Sequence, residues 1–128
     1  MKFEQVQRGA NFSRCQQYRY TLWRQWGEDD AFALIIGLNP STADHLKDDP
    51  TIRRCMGFAR DWGYSRLCVA NLFAYRATYP EDLKAAADPV GAANNRWLRK
   101  LMREAACVVG AWGNDGAFMN RAEKVRNM

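Results

Sequence analysis

The sequence predicts an α/β fold, a three-layer sandwich in which helices cover both faces of a mostly parallel central sheet. Two observations carry that expectation. Three apolar runs, 32–38, 67–72 and 105–112, have the composition of strands buried on both faces. Between them lie segments with helical spacing and helix end signals, and strands that alternate with helices form parallel units.

The elements follow in chain order. Tyr18-Arg19-Tyr20-Thr21-Leu22-Trp23-Arg24-Gln25-Trp26 is rich in aromatic and β-branched residues and reads as a strand, with Gly27-Glu28-Asp29-Asp30 as its turn. Phe32-Ala33-Leu34-Ile35-Ile36-Gly37-Leu38 is the candidate central strand. Asp49-Pro50-Thr51 supplies an N-cap followed by proline at the first helical position, and Ile52, Cys55, Met56, Ala59 and Trp62 recur at helical spacing before Gly63 ends the helix. A second apolar strand, Leu67 to Leu72, leads into a polar loop. A helix from about Pro89 to Glu104 then precedes a third strand, Ala105 to Trp112.

At 128 residues the chain has the size of one domain, and residues 1–128 are read as a single unit. Hydrophobic residues make up 48% and charged residues 26%, ordinary globular usage without a linker or low-complexity tract. No apolar run approaches the roughly 20 residues of a membrane span, and the first residues lack the apolar core of a signal peptide, so a cytoplasmic location is expected. Cys15, Cys55, Cys68 and Cys107 form no CxxC pair and His45 is the one histidine, which disfavours a metal site and leaves the thiols as free, buried hydrophobes. GxGxxG, GxxxxGK[ST] and GxSxG motifs are all missing, so no dinucleotide, nucleotide triphosphate or other cofactor is expected. The net charge of +5 suits a polyanionic partner, although scattered arginines are equally a solvated surface.

In such folds ligands gather at the carboxyl ends of the parallel strands, where helix N-termini and loops converge. Three polar segments fall there: 39–44, 71–78 and 113–116. Asn39 can orient a water or read an amide edge, Pro40, Ser41 and Thr42 shape an anion-binding turn, and Asp44 is a candidate base. The same Asn-Pro-Ser-Thr pattern is also that of a capped turn. His45 adjoins it and reads as a surface residue more readily than a catalytic one. Arg53 and Arg54 sit in the first turn of a helix, where the macrodipole disfavours them, so either phosphate binding or a salt bridge to Asp48 or Asp49 is expected. Phe73 and Tyr75 are candidate stacking residues, whereas Trp62, Trp97 and Trp112 read as core.

The segments 32–44, 48–55, 71–78, 88–91 and 111–114 together resemble the DUF1643 family, with a match from Arg14 onward of which Leu38-Asn39-Pro40-Ser41-Thr42-Ala43-Asp44 is the most specific part. A strand ending in Gly37-Leu38-Asn39-Pro40 is also similar, more distantly, to the first motif of uracil-DNA glycosylases. Val69-Ala70-Asn71, the loop from Arg76 to Pro80, and the strand from Val108 to Gly113 follow in the order of that superfamily.

The resemblance implies a glycosylase-like domain in which Asn39 positions the attacking water, Phe73 or Tyr75 stacks on a base, and Asn71 reads its edge. Arg76 and Asn114 lie on the same expected surface. It also implies a departure: the family continues to a Pro-Arg-His-Pro-like segment, whereas this sequence stops at Asn127-Met128, so a form truncated at the C-terminus, lacking the histidine motif and a fourth core strand, is expected. Two functions follow from different classes. One is N-glycosidic hydrolysis on a flipped base, weakened by the missing histidine. The other is a catalytically inactive module or inhibitor, of phage or mobile-element type, binding nucleic acid or a protein. An open sheet edge would favour a homodimer.

Overall fold

The computed structural model describes residues 5–128. Five strands, β1 (Gln7–Phe12), β2 (Arg19–Gln25), β3 (Phe32–Gly37), β4 (Arg66–Asn71) and β5 (Cys107–Ala111), form one sheet in the order β1-β2-β4-β3-β5. Helix α1 (Pro50–Asp61) connects β3 to β4. Helices α2 (Pro80–Ala85) and α3 (Asn94–Glu104) connect β4 to β5, and a 3-10 turn (Asn114–Asn120) leads into α4 (Arg121–Arg126).

The alternation of β3 explains the layering. Ala33 and Ile35 face one side, where with Leu67 and Val69 of β4 they meet Ile52, Cys55, Met56 and Ala59 of α1. Phe32, Leu34 and Ile36 face the other side, where with Cys68 and Ala70 they meet Leu98 and Leu101 of α3 and Ala122 and Val125 of α4. A strand buried on both faces must be apolar at every position, which is why the run was visible in the sequence. The helical stripe of α1 is equally local. Asp49 caps it by accepting the Ile52 N–H at 2.8 Å, Pro50 begins it, and Gly63, at φ +90°, closes its C-terminus.

The sheet is mixed, which corrects the expectation of a mostly parallel one. β3 pairs in parallel with β4 and β5, but β2 pairs antiparallel with both β4 and β1. The reason is a hairpin: β1, whose sequence Gln7-Arg8-Gly9-Ala10-Asn11-Phe12 has no apolar run, folds back on β2 and the pair extends the sheet beyond β4.

The helix expected from Pro89 begins at Asn94. The Pro89 and Val90 carbonyls accept the Tyr75 and Ala74 N–H groups at 3.1 Å each, so this stretch is a bend tied to the loop after β4 and not helix. Gly91 follows at φ +92°, where a Cβ would meet the Tyr18 ring at 2.9 Å. β5 is shorter than the run 105–112 and lies at a sheet edge, with Val108 45% exposed. Trp62 is not core: it stacks on Phe58 at the outer face of α1, and Trp97 and Trp112 are only half-buried. Of the cysteines, Cys55 and Cys68 are buried, Cys107 is half-buried and Cys15 is exposed, all free.

β2 contributes two arginines to the interior. Arg24, fully buried, donates to Asp48 (2.7 Å) and to the carbonyls of Trp23 (2.9 Å), Asp44 (2.6 Å) and Lys47 (3.1 Å). Removing one partner of a buried, hydrogen-bonded ion pair costs about 3–5 kcal/mol, because the other charge stays desolvated. Arg24→Met is therefore expected to lower unfolding stability by about that amount in urea titrations. A loss below about 1 kcal/mol, the range of exposed pairs, would show that the loop is held by other interactions.

Candidate active site

Three chain segments meet at the carboxyl end of the parallel strands. The loop after β3 supplies Asn39, Pro40, Ser41 and Thr42. The loop after β4 supplies Tyr75, Arg76, Ala77 and Thr78, and the β1–β2 connection supplies Gln16 and Gln17. Together they line a cleft of about 540 Å³, within the roughly 300–1,000 Å³ typical of small-molecule sites. β3 is the point at which the parallel strands diverge, with β4 on one side and β5 on the other, and ligand crevices form at such points.

Parallel pairing continues past the strands and brings the loops together: Leu72 N–H donates to Gly37 O (2.9 Å) and Phe73 N–H to Leu38 O (3.0 Å). The Asn39 amide then donates to Ala77 O at 2.6 Å, joining the two loops across the cleft. Asn71 is buried below. With its amide turned to satisfy its neighbours, it donates to Ala70 O (3.2 Å) and Asn39 O (3.3 Å). The third wall is fixed by Arg76, whose N–H donates to Gln17 O (2.8 Å) and whose guanidinium reaches Gln16 O (3.1 Å) and lies 5.0 Å from the Phe12 ring. Tyr75 sits edge-on to Tyr18, ring centroids 5.6 Å apart.

Beneath the first loop lies Asp49. Its carboxylate accepts from the Ser41 hydroxyl, from Ala43 N–H (3.1 Å) and from Ile52 N–H (2.8 Å). Burial raises its pKa and is the largest single effect, but these three hydrogen bonds and the field of Arg19 together outweigh it and leave the carboxyl below its ordinary value. Arg19, 2% exposed, donates to Ala43 O at 3.0 Å, and burial pulls its guanidinium down to about 10.

The expected site residues divide into two groups. Asn39, Pro40, Ser41, Thr42, Tyr75 and Arg76 line the cleft together. Asn71 lies one layer down as a clamp on the Asn39 backbone. Phe73 is not available for stacking: it is fully buried against Phe118, 5.6 Å between ring centroids. Asp44 lies outside the cleft lining, and one of its carboxylate oxygens accepts the Leu46 (2.8 Å) and Lys47 (2.7 Å) N–H groups in a tight turn, bonds that lower its pKa. Asn114 is exposed in the 3-10 turn after β5 and is not among the residues that line the cleft. His45 is exposed on the loop and outside the cleft lining. Arg53 and Arg54 are exposed and pair with neither acid, because Asp48 is taken by Arg24 and Arg8 and Asp49 by the cap.

Ala77 and Thr78 lie in the expected segment 71–78, whereas Gln16 and Gln17 were missed. The two glutamines reach the cleft only because the β1–β2 hairpin places them there, a long-range consequence without a local sequence signal. No group of three or more His, Cys, Asp or Glu side chains able to hold a metal occurs among the described residues. Nor is any helix among them long and apolar enough to cross a membrane.

A family model described as protein of unknown function (DUF1643) matches residues 19–128. The chain belongs to the DUF1643 family. No curated protein and no solved structure matched it. In this DUF1643 member the matched region includes all three parallel strands and two of the three cleft walls, and begins just after Gln16 and Gln17.

Asp49 is the residue on which the local geometry can be tested. Its folded pKa is lowered, so its contribution is fully present above the unfolded value of about 4 and is lost as pH falls through the lowered folded value. Asp49→Ala is expected to cost about 1–3 kcal/mol at neutral pH, combining a lost N-cap with an orphaned buried amide. In chemical denaturation the deficit of the variant should shrink below about pH 4, and a deficit independent of pH there would contradict this role.

Proposed function

We propose that this DUF1643 domain is nucleic-acid-directed and glycosylase-like, holding a single nucleotide in the cleft with its base against Tyr75 and Asn39. The observation that carries the reading is the convergence of Asn39, Ser41, Thr42, Tyr75 and Arg76 on one cleft at the ends of the parallel strands. It is supported by the resemblance of the β3 end, Gly37-Leu38-Asn39-Pro40, to the first glycosylase motif. Because the Asn39 Nδ2 is committed to Ala77 O, the Oδ1 is the atom that would hold a water for attack on an N-glycosidic bond. Arg76 at the cleft and the exposed Arg53 and Arg54 on the first turn of α1 provide cations for the phosphate backbone.

A second reading, a module that binds nucleic acid without turnover, is favoured by one observation. The cleft lining contains no carboxylate, imidazole or thiol, so no general base lines the cleft beside Asn39.

Titration with single- and double-stranded oligonucleotides at low and raised salt, followed by strand scission at abasic sites, separates the readings. Salt-sensitive binding with abasic product supports the enzyme. Asn39→Ala should then lower the rate by at least about a hundredfold, as misplacement of a reacting group does, with a smaller loss of affinity from the contact and the Ala77 link it removes. Binding without product identifies the module, and Arg76→Ala should reduce the slope of log affinity against log salt by about 0.7–0.9 for each phosphate that is no longer neutralised. No binding to either form sinks both nucleic-acid readings and directs attention to a protein partner.

A further inference from the structure

Behind the cleft, a smaller and more enclosed cavity of about 180 Å³ lies between the ends of β3, β4 and β5 and the first turn of α1. Its polar lining is Arg19, Asn39, Ser41, Thr51 and Asn71, with the remainder apolar, and Asn39 and Ser41 also line the cleft, so the two spaces adjoin. We propose that this cavity is an oxyanion subsite whose ligand group is a phosphomonoester, with Arg19 as its cation.

Three independent features point the same way. Arg19 is 2% exposed, yet its Nε–H has no acceptor among the described residues. A buried donor without a partner is rare, and a charged one more so. The carboxylate whose field Arg19 feels, Asp49, is occupied by Ser41, Ala43 and Ile52 and forms no ion pair with it. Second, Thr51 and Ile52 place the first turn of the 12-residue helix α1 at the cavity wall, where the helix dipole favours negative charge. Third, no acidic side chain lines the cavity itself; the adjoining carboxylate, Asp49, is engaged by Ser41, Ala43 and Ile52, which leaves Arg19 as the donor open to an anion.

Size and enclosure select among anions. A hydrocarbon-lined cavity of about 150 Å³ holds a benzene molecule, so 180 Å³ accommodates a phosphoryl group. A phosphodiester is tethered on two sides and does not enter an enclosed space, whereas a monoester or free phosphate enters with one tether or none. The guanidinium fork suits the geometry of phosphate oxygens. The subsite rests on Arg19 and the cavity and does not require the nucleic-acid reading of the cleft.

The test is calorimetric titration with inorganic phosphate at constant ionic strength, using chloride as the control, and with one oligonucleotide in 5′-phosphorylated and unphosphorylated forms. Phosphate should bind and chloride should not. Arg19→Gln removes the cation. Because Arg19 also holds Ala43, Ala111→Phe is the second variant: it narrows the mouth at an exposed edge position and leaves Arg19 in place. Each should weaken phosphate binding about tenfold or more, the loss expected for a charge-assisted hydrogen bond, and Ala111→Phe should do so with unchanged thermal unfolding. A preference for the phosphorylated oligonucleotide assigns the group to a nucleic-acid end. Phosphate binding without oligonucleotide binding upholds the subsite, assigns the ligand to a free small molecule, and defeats the nucleic-acid reading alone. No phosphate binding, or binding that Ala111→Phe leaves intact, overturns the subsite, whatever the oligonucleotides do.

Discussion

The guanidinium of Arg24 is the interaction on which the site depends. Taking a cation entirely out of water costs several kcal/mol unless its donors find acceptors in good geometry. Here those acceptors include Asp48 and the carbonyls of Trp23, Asp44 and Lys47, and three of these four partners belong to the loop before α1. The loop therefore cannot move away without stranding a buried charge. Because Asp48 and Asp49 are adjacent, fixing the first fixes the second, and Asp49 in turn holds Ser41, Ala43 and the first turn of α1. A strand that adds nothing to the parallel set thus sets the conformation of the loop that the parallel set presents.

The same strand sets the electrostatics. Arg19 and Arg24 share β2 with Tyr20 and Leu22, and Arg19 also feels the charge of Arg76. Asp48 offsets Arg24 directly, whereas Asp49 is spread among backbone amides and a hydroxyl. Arg19 and Arg76 therefore make no ion-pair contact among the described residues, although Arg19 and Asp49 still feel each other's field. Charges at a low-dielectric wall interact more strongly than charges in water, so the proposed subsite at Arg19 would favour an anion over the exposed basic face of α3. Net charge alone did not distinguish these two places.

What was legible in the sequence was local or doubly buried. The Asp49-Pro50 cap, the stripe of α1, and the runs that became β3 and β4 each announce themselves within a few residues. Asn39, Pro40, Ser41, Thr42, Tyr75 and Arg76 could be placed near one another because parallel strands end on one side. What was not legible depended on partners distant in the chain. Arg19 and Arg24 looked like surface charges, since the carbonyls that receive them lie about twenty residues further on. Phe73 looked exposed because it follows a strand, but pairing with Leu38 continues through it and turns its ring into the core. β1 alternates too weakly to read as a strand, and only β2 makes it one.

The bonds between loops also bear on how the cleft would meet a ligand. Its walls are joined by Asn39 to Ala77, Arg76 to Gln17, and Arg19 N–H to Ala74 O at 2.9 Å. Each bond crosses between segments rather than within one, so the spacing of the walls is set before any ligand arrives. A site preorganised in this way loses little conformational entropy on binding, and that saving favours affinity for a small rigid group over a large adaptable surface. The turn at 44–47 is the exception, since its side chains carry none of these bonds across the cleft. In the proposed subsite, ligand selection would rest on Asn39, Ser41 and Arg19, which line the smaller cavity, while the turn can vary in side chain as long as its carbonyls still receive Arg24.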